Sequence, residues 1–262
     1  EKAPDAGADT VVFDLEDAVV PGQKATARDA VADVLAGLDA DCEVCVRVNP
    51  LGQGGREDIA AIAETPPDSV MLPKVDAAAD IETLADALAD HGLDLPVLAL
   101  LETASGILAA PAVARTEATA AVLMGAEDLA ADIGATRTGE GTEILYARER
   151  VVLAAASAGV DAIDTLYTDF EDTDGLAADA AFAVELGYDG KMAIHPAQVS
   201  VINDAFTPDP EAVEWAERVI EARDAAEAEG RGVFEVDGEM IDAPLIAQAE
   251  TILDRAAATE RD

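Results

Sequence analysis

Basic residues are scarce in this chain. Four Lys and twelve Arg stand against 55 Asp and Glu among 262 residues, a net charge of -39. Phosphate backbones are repelled by such a surface, so nucleic acid is not an expected partner. Aromatic residues make up only 3%, which leaves Ala, Val, Leu and Ile to fill the core. Cysteine is limited to Cys42 and Cys45 in CEVC, inside a predicted strand. Three apart on a strand, the two side chains point to opposite faces. With no second pair, packing is expected rather than a shared metal or a disulfide. No apolar run reaches membrane-spanning length, and a cytoplasmic protein is expected.

Half of the chain is apolar, and the apolar residues are periodic, which argues against disorder despite the charge. The composition suits a salt-rich cytoplasm. At about 1 M salt the Debye length is roughly 3 Å, so an acidic surface barely repels itself.

A strand-then-helix rhythm runs along the sequence. The strand Thr10–Leu15 precedes a helix at Lys24–Leu38. CEVCVRVNP, SVMLPKV, LPVLALLE and AVLMG lead to helices at Arg56–Glu64, Ala79–His91, Ile107–Arg115 and Glu143–Ala158. VDAID and DGKMAIH complete seven units, with helices at Leu176–Leu186 and Val199–Phe206 and a further helix at Glu211–Glu229. Serial units of this kind predict a parallel sheet with crossover helices. Seven is one short of an α/β TIM (β/α)8 barrel, and EKAPDAG reads as the end of a helix, so a first strand is expected to be missing from this chain. A doubly wound open sheet is the alternative. Polar residues at nearly every strand end favour the barrel, because an open sheet gathers its site in one crevice. Residues 1–229 are read as the barrel. Residues 230–262 are read as a lid or oligomerisation arm: a hairpin turning at Asp237-Gly238, then a helix with Leu245, Ile246, Ala249, Ile252 and Leu253 on one stripe.

The chemistry-bearing residues fall at strand ends. Glu102 ends LPVLALLE and Asp128 follows AVLMG. Adjacent parallel strands lie about 4.8 Å apart, so these carboxylates could share one hard cation, Mg²⁺ or Mn²⁺. A helix-capping Asp128 and a salt-bridged Glu102 remain the alternative. Asp14, Glu16 and Asp17 in FDLEDAV add three acids, and such crowding favours a compensating cation. Glu16 and Asp17 are placed near metal-bound water, and Asp14 is structural. Among the scarce lysines, Lys24 sits in QKATAR with Arg28, Lys74 in LPK and Lys191 in DGK. Arg47 in VRVNP points to the same mouth and suits an anionic substrate whose reaction builds up enolate charge. Arg137 in IGATRT marks a phosphate-contacting loop. His195, before a proline, reads as structural. Glycine-rich nucleotide fingerprints, P-loops and nucleophile elbows are absent.

FDLEDAV, VRVN, LPK, Glu102-x-x-x-Gly106, GAEDL, GATRT, IHP and MID together resemble, in order, the citrate lyase beta-subunit-like (HpcH/HpaI aldolase) family, nearest its malyl-CoA and citramalyl-CoA lyase branch. The resemblance implies a TIM barrel with Mg²⁺ on Glu102 and Asp128, and Arg47 on the oxo-acid or enolate oxygens. Glu16 and Asp17 support the reaction, and Lys24, Arg28, Lys74 and Arg137 bind the coenzyme A portion. It further implies that Asp242, in MIDAP, is the acid/base and reaches a neighbouring subunit's site in a homotrimer or a hexamer. The implied activity is reversible Claisen-type cleavage of a 3-hydroxyacyl-CoA to an acyl-CoA and a 2-oxo acid. A malyl-CoA thioesterase and a citrate lyase beta subunit within a larger complex are the alternatives.

Overall fold

A computed structural model describes residues 6–228 and 230–259. Its first unit is a parallel sheet of seven strands: β1 (Thr10–Asp14), β2 (Glu43–Arg47), β3 (Ser69–Leu72), β4 (Val97–Leu101), β5 (Thr119–Met124), β6 (Asp161–Asp164) and β7 (Gly190–Lys191). The spatial order equals the chain order, and each strand pairs with the next. A doubly wound sheet reverses its order at a switch point. No reversal occurs here, so the order is that of a barrel wall, with β1 and β7 as its edges among the described residues.

The crossovers are α1 (Lys24–Leu35), α2 (Gly55–Ile62), α3 (Ala78–Ala89), α4 (Ala104–Ala114), α5 (Ala126–Asp132) with α6 (Leu145–Ala158), and α7 (Thr173–Leu186). Gly159 and Gly187, both at positive φ, stop α6 and α7, the usual left-handed helix ending.

Strand alternation sorts the residues into two faces. On one, Cys45, Met71, Leu100, Ala121 and Leu123 form a buried cluster joined by Leu98, Ile163 and Met192. Val44, Val46, Val70, Val97, Ala99, Val122 and Ala162 are buried on the other. Both cysteines are free, with Cys45 inside the cluster. Burial, above all, pushes the Cys45 thiol up to about 12, so it packs as a small apolar group.

The helix-facing side of β6 and β7 carries a buried ionic network. Asp164 accepts Arg148 Nε and Nη2 at 3.0 and 2.6 Å and Lys191 Nζ at 2.8 Å. Lys191 Nζ also meets Asp179 at 2.5 Å and the Thr165 carbonyl at 2.7 Å. A buried lysine between two carboxylates is well compensated. Lys191 therefore ties β7 to β6 and α7 and does not face the strand-end acids.

Contacts divide the chain inside α8 (Pro196–Phe206), at Val199/Ser200, rather than at 229/230. The reason is α9 (Pro210–Ala228), expected as the barrel's last helix. Its Ala216, Val219 and Ala226 are buried with Phe234, Val236, Ile241 and Ala249. These belong to the antiparallel pair β8 (Phe234–Val236) and β9 (Glu239–Ile241) and to α10 (Ala243–Thr259). Asp237 and Gly238, at φ 53° and 85°, form the expected turn. Every apolar residue predicted for the α10 stripe packs into this second core. Among the described residues no helix is long and apolar enough to cross a membrane.

Candidate active site

The carboxyl ends of β1 to β5 bring seven sequence-predicted residues into one polar constellation. Asp14 pairs with Arg47 in register across β1 and β2, and the two make a bidentate ion pair at 2.7 and 2.5 Å. Asp14 also accepts the main-chain N–H groups of Glu16 and Ala18. Burial opposes its charge, but Arg47 and these donors outweigh it and lower its pKa. Asp14 is thus the structural anchor expected of it, fixing both the loop after β1 and the guanidinium plane. Burial also opposes the Arg47 charge, and Asp14 and Glu16 more than restore it.

Glu16 is buried, 6% exposed. Lys74 Nζ donates to its Oε1 at 2.6 Å, and Arg47 Nη1 lies 3.3 Å from its Oε2. That second oxygen has no hydrogen bond, which is costly for a buried carboxylate. Asp17 is exposed and adds negative potential at Arg47 and Lys74.

Glu102 is 3% exposed and accepts the Lys74 main-chain N–H at 2.9 Å. Its carboxylate lies over Gly125, where a β-carbon would come within 2.7 Å of Oε2. Burial first, then repulsion from Asp128 and Glu16 against the Lys74 N–H, pushes Glu102 up to about 7. Asp128, exposed, follows Gly125 in the first turn of α5. The glycine of Glu102-x-x-x-Gly106 has its own reason: a β-carbon at 106 would meet the Val75 carbonyl at 2.1 Å.

Donor chemistry tests the expected metal. Two oxygen donors of like charge stand beside a third carboxylate carrying an orphaned oxygen, and burial first, then the neighbouring carboxylates, disfavours the ionised form of Glu102. A divalent cation relieves that crowding. Mg²⁺ takes one or two carboxylates and fills its shell with water and substrate. Among the described residues no group of three or more His, Cys, Asp or Glu is arranged to hold a metal ion; Glu102 and Asp128 offer two carboxylates, the number Mg²⁺ commonly takes from protein. Glu102 and Asp128 would hold the ion.

The expected coenzyme contacts are engaged inside the fold. Lys24 Nζ donates to the Leu15 and Glu16 carbonyls and to Asn49 Oδ1. Arg28 Nε donates to Asp58 at 2.7 Å, and its Nη2 to the Gly54 carbonyl. Arg137 pairs with Glu127 and Glu143, bracing its own loop. His195 Nδ1 accepts the Ala197 N–H, and its ring stacks on Phe170 at 5.2 Å, a structural role as expected.

Asp242 belongs to the second unit. It is exposed, and its carboxylate accepts the Leu245 N–H at the start of α10.

Asn49 and Asp58 had no role in the sequence analysis. Both are buried. Asp58 accepts Asn49 N and Nδ2 at 2.7 Å as well as Arg28, while Asn49 Nδ2 also reaches the Leu15 carbonyl. This hub sets the loops after β1 and β2. Its only sequence signal was the Asn-Pro turn in VRVNP. A cavity of about 240 Å³ opens at the amino ends of β2 and β3, lined by Leu35, Leu38, Val44 and Pro66–Asp68. The constellation lies at the opposite ends of those strands, so cavity volume does not mark the site.

Comparison with known proteins supplies the family. The model for HpcH/HpaI aldolase/citrate lyase matches residues 1–196. Rattus norvegicus mitochondrial citramalyl-CoA lyase is 37% identical over 96% of this chain and 80% of its own length. A (3S)-malyl-CoA thioesterase of Cereibacter sphaeroides is 36% identical over 98% of this chain and 90% of its own. The crystal structure of CitE from Mycobacterium tuberculosis in complex with magnesium, acetoacetate and coenzyme A superposes with a TM-score of 0.82 at 37% identity, covering 98% of this chain and 92% of that one. The strand-end carboxylates and arginine therefore sit on a shared scaffold, and the chain belongs to the HpcH/HpaI aldolase/citrate lyase family.

Proposed function

We infer that this protein is a Mg²⁺-dependent lyase that reversibly cleaves a 3-hydroxyacyl-CoA, of the malyl-, methylmalyl- or citramalyl-CoA type, to an acyl-CoA and a 2-oxo acid. One observation carries the reading: Glu102, raised to about 7, faces Asp128 and Glu16 while Arg47 is held beside them. That arrangement fits a cation and an arginine sharing one small anionic substrate. When bound, the cation supplies Lewis-acid polarisation of the substrate's carboxylate and hydroxyl oxygens.

The chain's own groups do the rest. Arg47, immobilised by Asp14, offers guanidinium N–H donors to oxygen charge that grows as the C–C bond breaks. The substrate hydroxyl gives up its proton as its C–O bond becomes the C=O of the 2-oxo acid, the electron pair of the C–C bond becomes the acyl-CoA enolate, and the enolate α-carbon takes a proton in return. In the condensation direction the same proton is removed from the acyl-CoA. Asp242 is assigned this proton transfer, delivered from a neighbouring subunit of a homotrimer or hexamer. Its exposed position in the second unit supports that assignment. Closure of the sheet into an eight-stranded barrel takes one further strand between β7 and β1. A salt-rich cytoplasm is the proposed setting.

The second reading is thioester hydrolysis at the same site, favoured by the malyl-CoA thioesterase relative. Incubating malyl-CoA with the protein and Mg²⁺ in high salt separates the two. Glyoxylate with acetyl-CoA supports the lyase, whereas malate and free CoA without glyoxylate would end that reading. Asp242→Asn is expected to keep Mg²⁺ affinity and lose turnover.

A further inference from the structure

We propose that Lys74 is a positioning residue: its left-handed main chain fixes the Glu102 carboxylate, and its ammonium holds Glu16 beside Arg47. The proposal rests on the reading above only in taking Glu102 as a metal ligand. Lys74 has φ 53°. Among the described residues the only other non-glycine at positive φ is Asp237, at the hairpin tip, where a two-residue turn requires it. No such turn accounts for Lys74, which follows Pro73 in the connection from β3 to α3. A non-glycine residue held in this region is strained, and surrounding structure must enforce it.

What the conformation achieves is visible at the end of β4. The Lys74 N–H reaches Glu102 Oε1 at 2.9 Å, and the next N–H, of Val75, reaches the Leu100 carbonyl at 3.3 Å. Two successive donors are thus aimed at one strand end. Glycine would take this backbone more readily, but only lysine adds the Nζ contact to Glu16 Oε1 at 2.6 Å. The result is a continuous chain, Glu102–Lys74–Glu16–Arg47–Asp14, running from β4 back to β1. A coenzyme contact would take the ammonium away from Glu16. A surface salt bridge alone would leave the backbone strain without purpose.

Four substitutions, Lys74→Gly, Lys74→Asn, Lys74→Met and Lys74→Val, all remove the ammonium but differ in tolerance of the left-handed region. Binding of Mn²⁺ alone, read by the loss of its free electron-spin signal, reports the Glu102 orientation. The Gly and Asn variants are expected to agree within about twofold, Met to be weaker, and Val to be weaker by about tenfold or more. Equal affinity in Gly and Val overturns the main-chain role. If Val does not fold, the contrast of Gly with Met decides in the same way.

For the ammonium, the affinity of the Mn²⁺-loaded protein for glyoxylate is measured by water proton relaxation. Lys74→Gly, Glu16→Gln and the double variant form a cycle. A double variant no weaker than the worse single one supports action through Glu16, and additive losses overturn it. Wild-type protein that binds no Mn²⁺ removes the metal site and this proposal together. Wild-type protein that binds Mn²⁺ but cleaves no thioester sinks the lyase reading, and the affinity order still judges Lys74.

Discussion

Gly125 lies directly beneath Glu102: a β-carbon at position 125 would sit 2.6 Å from Glu102 Cβ and 2.7 Å from its Oε2. Gly125→Ala is therefore expected to displace the buried carboxylate, and disturbing the shell that orients a metal ligand typically costs metal affinity about 10- to 100-fold. Calorimetric titration with Mg²⁺ checks this. Unchanged affinity in a folded variant contradicts the placement of Glu102 in the ion's shell.

The Glu102 carboxyl gives a pH dependence with a definite sign. Its folded pKa of about 7 lies above the ordinary 4.5, chiefly through burial. Without a cation, this group costs stability as pH rises from the unfolded value through about 7. A bound cation needs the ionised form and so competes with the proton. The gain in melting temperature on adding Mg²⁺ is expected to be larger at pH 8 than at pH 6, with affinity falling about tenfold per pH unit below 7. A Mg²⁺-induced shift that is flat across this range argues against Glu102 as a ligand.

Arg47→Lys keeps the charge but loses the planar fork that engages Asp14 through two nitrogens. Turnover is expected to fall about 100-fold or more, with a small change in thermal midpoint because the pair is partly exposed. Steady-state kinetics and a melt on the same preparation settle it.

Asp58 is fully buried and accepts Arg28 and two Asn49 donors. Asp58→Ala strands all three, and breaking a buried pair from one side costs about 3–5 kcal/mol. Urea unfolding in high salt should show the midpoint falling with the slope retained.

With 55 acids against 16 bases, the acidic surface repels itself over a longer range as salt is removed. The thermal midpoint is expected to rise steadily from dilute to molar KCl. A midpoint independent of KCl would show that repulsion is not a limiting term.

What was legible in the sequence followed the strength of local signals. The β-branched runs and their helical partners placed all seven strands, and Asp237-Gly238 marked the hairpin turn. Glu102 and Asp128 could be found because alternation and a glycine break put them at adjoining strand ends. Lys191 could not be oriented, because a two-residue strand shows no alternation. The ion pair that engages Arg28, expected as a coenzyme contact, left no local signal because its partner Asp58 lies on another helix, 30 residues on. The left-handed turn at Lys74 left no mark, since tertiary contacts rather than a glycine impose it. The core that α9 joins could not be read from the sequence, because its apolar face looks the same whichever core it covers.

The sheet's order has a kinetic consequence. Within the seven-stranded sheet each strand from β1 to β6 pairs with its immediate successor in the chain, so none of these pairings waits for a distant segment. Loop closure then involves one crossover at a time, which keeps its entropic cost low. As the chain leaves the ribosome, β2 can dock on β1, β3 on β2, and so on. The wall carrying Asp14, Arg47 and Glu102 can be assembled before the residues of the second unit have been synthesised.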